Sequence, residues 1–178
     1  MLLRLVKVFL LLCFIPPMFS FALPANYLTS IEKNLYIAKN KSSAYVWGAA
    51  GTEKDGVLQV DCSGLIYHLF KQSGIAVRRS QALRMRMGLD GWTGRDVKLD
   101  DADHLNLIWW TWKDKNGKVA NPARPHGHIG ILSEDSRTKL IEAVHASSGK
   151  GRVVSQQVRG QLLRDISAIR VITIGDKK

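Results

Sequence analysis

The chain has 178 residues, a length that suits one domain with a proper hydrophobic core and is too short for two. It contains no internal repeat, low-complexity tract or linker that would divide that domain. A formal net charge of +11 favours anionic partners, but it does not distinguish lipid surfaces, wall polymers and nucleic acid.

Residues 1–22 are typical of a secretion signal. Two basic residues precede an apolar run from Val8 to Ile15, and Ser20-Phe21-Ala22 fits the small-x-small rule for signal peptidase. We expect cleavage after Ala22, which leaves one exported domain, residues 23–178, in the periplasm or outside the cell. The run is shorter than the about 20 apolar residues of a transmembrane helix, so no stable membrane span is expected. A retained anchor is the alternative.

The cysteine count points to a special role for Cys62. Cys13 lies in the signal, and Leu12 before it is a poor match to the small residue of a lipoprotein signal. Cys62 is then the only cysteine of the mature chain, which excludes a structural disulfide and makes catalysis the leading explanation. The alternative is a small, buried apolar residue.

Two helices are predicted in the first half, which we expect to be mostly helical. The first spans residues 27–40, with apolar side chains directed inward at Leu28, Ile31, Leu35 and Ile37 or Ala38. The second begins after the N-cap residue Asp61 and ends near Gly74. Cys62 then lies in a first helical turn, where unpaired N–H groups and the helix dipole favour the thiolate.

The second half is predicted to be irregular at first and then β-rich. Residues 78–125 are mostly polar and irregular, apart from a strand over Ile108–Trp112, and most of the three tryptophans there are expected in the core. Later strands are predicted at His128–Leu132, Leu140–Ala146, Val153–Ser155 and Ile169–Ile174, with Leu162–Ser167 unassigned. Helices followed by an antiparallel sheet indicate an α+β fold.

A cysteine nucleophile requires an imidazole base that a polar group holds in place. His68 is predicted on the helix surface and His104 in a solvated loop. An antiparallel hairpin closed by pairs such as Leu132 with Lys139, or Ser133 with Leu140, places His128 and His145 on one face as opposite or diagonal neighbours. His126 has the same parity as His128 and stays a rival base. Metal-ligand spacing is absent beside these histidines.

Three sequence blocks, in this order, resemble the NlpC-type cell-wall cysteine peptidases. The blocks are Tyr45-Val46-Trp47-Gly48, Asp61-Cys62-Ser63-Gly64-Leu65-Ile66, and His128-Ile129-Gly130-Ile131 followed by Val144-His145-Ala146. The resemblance covers residues from about 27 to 174. It implies a minimal papain-like fold and hydrolysis of amide bonds in peptidoglycan stem peptides, often between the γ-carboxyl of D-glutamate and a diamino acid. No metal or organic cofactor is implied.

The resemblance also implies roles for individual residues. Cys62 matches the nucleophile, His128 the base and His145 the polar residue that orients it, which favours His128 over His126. Tyr45 matches a tyrosine that helps to hold the oxyanion; the alternative is an ordinary half-buried tyrosine.

Four further residues match the substrate-binding positions of the family. Asp61 and Ser63 match residues that receive the front of the stem peptide, and both also suit a helix N-terminus. Arg78 and Ser80 match an Arg-x-Ser sequence, in which the arginine suits a substrate carboxylate. The alternative for Arg78 is a solvated charge in a basic run.

The chain departs from the family pattern around the substrate cleft. About five extra residues separate Tyr45 from Cys62, Ala49 replaces a second glycine, and Val77 replaces a proline. These departures leave the bond that is cleaved open, with an amidase at the sugar–peptide junction or an acyl transferase as enzymatic alternatives. A non-catalytic, basic module that binds wall polymer or another polyanion is the alternative of a different class. We expect a monomer that binds stem peptide and no nucleic acid.

Overall fold

The computed structural model describes residues 21–113, 116–119, 126–135 and 137–174. The predicted signal peptide, apart from its last two residues, and Cys13 lie outside these ranges. Four α-helices are described, at Ala25–Asn40 (α1), Cys62–Gln72 (α2), Ala82–Arg86 (α3) and Gly160–Asp165 (α4). The described strands are Phe21–Ala22 (β1), Ser43–Tyr45 (β2), Ala50–Lys54 (β3), Val57–Val60 (β4), Gly94–Val97 (β5), Leu107–Trp110 (β6), His128–Glu134 (β7), Ile141–Ser147 (β8), Arg152–Gln157 (β9) and Ile166–Ile174 (β10).

The main sheet is antiparallel and confirms the α+β fold. Its strand order is β1-β10-β6-β7-β8-β9, and β5 pairs with another part of β10. Helices α1 and α2 pack together, and α2 contacts β7 and β8. A helical layer therefore lies against one face of the sheet, with the start of α2 beside the strands that carry the predicted base.

Alternation along the strands divides the core between the two sheet faces. Ile129 and Ile131 of β7 belong to the cluster that includes α1 and α2, together with Val144 of β8. Leu132 and Trp110 belong to a second cluster on the opposite face. His128 is separated from Leu132 by four residues and therefore lies on the face of this second cluster.

The helical periodicity predicted the buried sides of both N-terminal helices. The α1 helix buries Ile31, Leu35 and Ala38, whereas Ile37 is 46% exposed. This result decides between Ile37 and Ala38 as the inward residue. The described residues include no helix that is both long enough and apolar enough to cross a membrane.

The expectation that the first half is mostly helical is wrong for residues 43–60. These residues form a second, three-stranded sheet of order β2-β4-β3. Asp55 and Gly56 connect β3 to β4 with positive φ angles of 52° and 74°, as in a tight hairpin turn. The hairpin contains the extra residues between Tyr45 and Cys62. Its first strand is largely exposed and its second, which buries Leu58 and Val60, has only four residues, so neither gives the long alternation that reveals a strand in sequence.

The stretch 78–125 was also expected to be irregular apart from one strand, but it contains α3, β5 and a 3₁₀ turn at Leu99–Asp101. The predicted strand Ile108–Trp112 is observed as Leu107–Trp110. Trp109 and Trp110 are fully buried, as expected for the core, whereas Trp112 beyond the strand end is 47% exposed.

Candidate active site

Cys62 is the first residue of α2, and the Asp61 side chain caps the helix. The backbone N–H of Gly64 donates to Oδ1 of Asp61 at 2.5 Å. Residue 64 must be glycine, because a Cβ there would lie 1.9 Å from the carbonyl oxygen of Ala49. That carbonyl also accepts from the backbone N–H of Asp61 at 3.1 Å. The start of α2 is thus fixed against the segment before the β3–β4 hairpin.

A cleft of about 440 Å³ opens in front of the Cys62 thiol. It is lined by Trp47, Gly48, Asp61, Cys62, Ser63, Arg79, Ser80, Gln81, Ala82, Leu83 and Gly127. Three predicted substrate-binding residues, Asp61, Ser63 and Ser80, are among them. The lining comes from the segment before β3, from the start of α2, from the start of α3 and the segment that leads into it, and from the residue before His128, so the cleft gives a ligand access to the thiol.

The helix N-terminus favours the thiolate only weakly in this structure. Burial, together with the negative charge of Asp61, raises the pKa of Cys62 to about 11. The backbone N–H groups of Ile129 and Ser63 and the Arg79 guanidinium act in the opposite direction, but more weakly. The unliganded site therefore holds a neutral thiol near pH 7.

His128 and His145 lie on one face of the β7–β8 hairpin, as the sequence predicted. Nε2 of His128 and Nδ1 of His145 are joined by a hydrogen bond of 2.8 Å. The observed pairs Leu132 with Ala143 and Ser133 with Glu142 differ from the predicted closing pairs. The difference in register is an even number of residues, so the two histidines stay on the same face as diagonal neighbours.

Two tryptophans enclose the His128 ring. Trp110 lies directly opposite His128 on β6, with ring centroids 4.7 Å apart. The centroid of the Trp112 ring lies 5.8 Å from that of His128. Gly130 makes room for this arrangement, because a Cβ there would lie 3.0 Å from the Trp110 ring and 2.8 Å from the carbonyl oxygen of Val144. The enclosure leaves His128 8% exposed.

Burial sets the protonation state of both rings. It lowers the pKa of His128 to about 3, with the neighbouring His145 as a second cause. Burial also lowers the pKa of His145, while the Gln156 side chain of β9 opposes that shift. Nε2 of His145 is buried and makes no well-aligned hydrogen bond within the described part of the chain. Both imidazoles are therefore neutral near pH 7.

The thiol meets β7 immediately after the predicted base. The Ile129 backbone N–H lies close enough to Cys62 to lower its pKa, and Gly127 lines the cleft beside the thiol. No hydrogen bond joins Sγ of Cys62 to the His128 ring, both residues being in the described part of the chain. Proton transfer between them would require a side-chain movement or a bound substrate.

His126, the rival base, is directed elsewhere. Its Nδ1 is 2.7 Å from Oγ of Ser167, and its backbone N–H donates to Oγ1 of Thr111 at 2.9 Å. His126 precedes β7 and has a positive φ of 54°, so the parity that relates it to His128 does not apply.

The remaining two histidines lie outside the cleft. His104 is exposed and bonded to Asp103, as predicted for a loop. His68 was expected on the helix surface, but it is half-buried because it packs against Gly51 of the β3–β4 hairpin, which the sequence did not predict.

Tyr45 is the last residue of β2 and is half-buried. It pairs with Val60 in parallel register, which brings its backbone beside the chain two residues before Cys62. Its backbone N–H donates to the carbonyl of Gly151 at 2.7 Å. The side chain packs against the main core cluster, and Tyr45 is not among the described residues that line the cleft.

Arg79 lies in the cleft, whereas Arg78, the residue matched to the family sequence, is exposed. Nη2 of Arg79 is 2.8 and 2.7 Å from the two oxygens of Asp61. Arg78 accepts from the Trp92 indole through its backbone carbonyl, outside the cleft lining. Ser80 donates to Asp90 at 2.7 Å and is buried.

Sequence reasoning missed Arg79, Gln156 and the contact of Trp112 with His128. A strand prediction through Gln156 would have placed it on the face of His145, since Val154 pairs with His145. No sequence signal distinguishes Arg79 from Arg78, because the segment has no regular periodicity. The described ranges contain no cluster of three or more His, Cys, Asp or Glu residues able to hold a metal ion.

Comparisons with known proteins agree on one family. The family model described as NlpC/P60 family matches residues 42–164, which is more than half of the chain. The comparison with curated proteins found no match.

Several solved structures have a similar fold. A protein from Staphylococcus aureus described as similar to lipoprotein, NLP/P60 family, has a TM-score of 0.58 at 16% identity, over 86% of this chain and 43% of that chain. The peptidoglycan hydrolase RipB from Mycobacterium tuberculosis has a TM-score of 0.53 at 19% identity, over 88% and 69%. RipD from the same organism, described as a non-catalytic, peptidoglycan-binding NlpC/p60 domain protein, has a TM-score of 0.50 at 14% identity, over 82% and 95%. The chain thus spans less than half the length of the staphylococcal protein.

Proposed function

The chain belongs to the NlpC/P60 family, and we propose that it is an exported, monomeric cysteine peptidase that hydrolyses amide bonds in peptidoglycan stem peptides. The observation that carries the proposal is the position of Cys62, at a helix N-terminus in an open cleft, next to β7, which begins with His128, the hydrogen-bonded partner of His145 on β8. The similarity to RipB, described as a peptidoglycan hydrolase, supports the substrate class.

The protonation states define how the reaction begins. Cys62 and His128 both start neutral, so the thiol loses its proton as Sγ attacks the substrate carbonyl. Nε2 of His128 is engaged with His145, which leaves Nδ1 to accept that proton. His145 accepts at Nδ1, so its own proton lies on Nε2, and the neighbouring Gln156 side chain favours the protonated ring. His145 thus fixes the tautomer in which His128 acts as a base.

The rest of the cycle returns the same proton. The C–N bond breaks as His128 gives its proton to the leaving amine, and an acyl group remains on Sγ of Cys62 as a thioester. Water then attacks the thioester with His128 as the base, which releases a carboxylic acid and restores the thiol. The backbone N–H groups of Ser63 and Ile129 lie beside Sγ, and Tyr45 is proposed as a further donor to the oxyanion.

The bond we propose is the one between the γ-carboxyl of D-glutamate and a diamino acid. Asp61, Ser63 and Ser80 line the cleft, and we assign them to the acyl part of the peptide. Arg78 is exposed and does not line the cleft, so we assign it to a part of the substrate that extends beyond the cleft. The net charge of +11 would attract the carboxylates of the wall.

Binding of wall polymer without hydrolysis is the second candidate. It is favoured by the high pKa of Cys62 and by the lack of a hydrogen bond between its Sγ and the ring of His128, both being described residues. The similarity to RipD, described as non-catalytic and adapted to peptidoglycan binding, agrees with it.

Incubation of the purified chain with peptidoglycan and with soluble stem peptides, followed by mass spectrometry of the products, separates the two candidates. We expect the parent to release fragments that identify the bond, and the Cys62→Ala variant to release none. His104→Ala is the control for loss of a histidine outside the site, and it should cleave like the parent. Binding of polymer without cleavage by the parent would establish the second candidate.

A further inference from the structure

The cleft in front of Cys62 contains one negative and one positive side chain. Asp61 and Arg79 are the only formally charged groups among the described residues that line it. Asp61 is 6% exposed, and the Arg79 side chain is 27% exposed. A lone carboxylate beside the nucleophile would attract a cationic group of a substrate, so the state of Asp61 determines which ligands the cleft favours.

Arg79, together with Gly48, Ser63 and Gly64, occupies the Asp61 carboxylate completely. Besides the two contacts from Nη2 of Arg79, Asp61 accepts from the Gly64 N–H at 2.5 Å and the Ser63 hydroxyl at 3.1 Å on Oδ1, and from the Gly48 N–H at 2.9 Å on Oδ2. A carboxylate offers about four lone-pair positions. None is left for the ammonium group of a ligand.

The guanidinium is itself held in place, so it does not leave the carboxylate freely. Nη1 of Arg79 donates to Oγ of Ser63 at 2.7 Å and to the carbonyl oxygen of Ser80. Its Nε is buried and lacks a partner within the described ranges. The positive charge therefore stays at the wall of the cleft that also carries Asp61 and Ser63.

We infer that Arg79 makes the cleft select stem peptides whose N-terminal amine is acylated over peptides whose amine is free. The inference rests on the proposed function, because it assigns this wall of the cleft to the acyl part of the substrate. That part consists of the two residues before the scissile bond and becomes bonded to Sγ of Cys62, so we place its N-terminal amine in the cleft beside Asp61 and Arg79. A free ammonium there meets the guanidinium and finds no free acceptor on Asp61, whereas an amide brings no charge.

This preference determines whether the chain acts on stem peptides that are attached to the glycan or on released ones. A stem peptide that is still attached to the glycan has its first amine in an amide bond, whereas a peptide released by an amidase has a free amine. The cleft should therefore act on attached stems and discriminate against released ones. Cleavage by this chain then takes place before, and not after, an amidase frees the stem from the glycan.

A pair of peptides that differ only by acetylation of the N-terminal amine tests this inference. Affinity is measured by calorimetry on the Cys62→Ala chain, so that cleavage does not interfere. At about pH 6.5 an α-amine with a pKa of about 7.7–8.0 is protonated, and we expect the acetylated peptide to bind roughly tenfold more tightly. At about pH 9.5 the amine is neutral, and the preference should fall to roughly twofold or less.

Variants of the two neighbouring arginines show which of them causes the preference for the acetylated peptide. Arg79→Gln, added to Cys62→Ala, should abolish or reverse the preference, because it leaves Asp61 free to accept from an ammonium. Arg78→Gln removes the same charge from an exposed position and should keep the preference. Arg79→Lys retains the charge and should also keep the preference. This variant keeps the test decisive if Arg79→Gln lowers the melting temperature.

Three results would overturn the inference: equal affinities of the two peptides at pH 6.5, binding of neither, or the same preference in Arg79→Gln as in Arg78→Gln. Failure of the proposed function gives a different result. In that case the acetylated peptide is preferred by the Cys62→Ala chain, but the parent cleaves neither peptide.

Discussion

Nε2 of His128 and Nδ1 of His145 lie 2.8 Å apart on one face of the main sheet, and the Trp110 ring packs against both imidazoles. The hydrogen bond holds one nitrogen of His128 and leaves the other for a proton from Cys62. Because both rings are buried and neutral, His128 is a neutral base that His145 holds in position, and it does not form an ion pair with Cys62 in advance.

Loss of His145 should disable the base without removing it. His145→Ala leaves the His128 ring free to rotate and to change tautomer, so we expect kcat/KM to fall by about 10²–10⁴-fold, the usual contribution of general acid–base catalysis. His145→Asn or His145→Gln restores a hydrogen-bonding group and should recover part of the loss. Steady-state kinetics on a soluble stem peptide measure the effect. An unchanged kcat/KM in His145→Ala would exclude the orienting role.

The thiol should react slowly with alkylating agents at neutral pH. The raised pKa of Cys62, about 11, means that the thiolate fraction grows with pH up to that value. The rate of reaction with iodoacetamide should therefore increase throughout the range from pH 7 to 10. Intact mass spectrometry measures the adduct, with Cys62→Ala as the blank. A rate that is constant above pH 7 would show that the thiolate is already formed there.

The buried histidines should make the fold sensitive to acid. The pKa of His128 is depressed from 6.5 to about 3, so the unfolded chain binds a proton more readily than the folded chain. Stability from this residue is present above pH 6.5 and is lost as the pH falls towards 3. Urea unfolding at several pH values should show a steeper decline for the parent than for His128→Gln. Equal slopes in the two chains would contradict the depressed pKa.

Trp112 should shield the His128 ring from water. Its ring packs against His128 at 5.8 Å while the residue is 47% exposed, so truncation would open the imidazole to water. Trp112→Ala should raise the pKa of His128 towards its ordinary value, so the acid limb of the pH profile of kcat/KM should move to higher pH with it. NMR titration of the ring and the pH profile of kcat/KM report this shift, and Trp112→Phe should restore most of the depressed pKa. Identical profiles for the parent and Trp112→Ala would argue against this contact.

The sequence predicts those parts of the site that follow from regular structure. Helical periodicity after Asp61 places Cys62 at the start of α2, and strand alternation places His128 and His145 on one face even though the predicted register was different. Both inferences use properties that repeat along an element, so they tolerate errors in its exact ends.

The parts that were missed depend on contacts between elements. Arg79, and not Arg78, pairs with Asp61. The segment that carries both arginines has no periodicity, so the sequence does not predict which of them faces Asp61. The neutral thiol results from burial of Cys62 under the assembled fold, and no local pattern reports burial of that kind. Trp112 lies beyond the end of its strand, so alternation does not predict its contact with His128.

The most direct test of the central claim is detection of an acyl group on Cys62. The purified chain is mixed with a stem peptide and quenched in acid within one turnover, and its mass is measured before peptide mapping. We predict a mass increase equal to the acyl half of the substrate, less one water, located on Cys62 and absent from Cys62→Ala. Release of the same products by Cys62→Ala, or an acyl group on a different residue, would contradict the account.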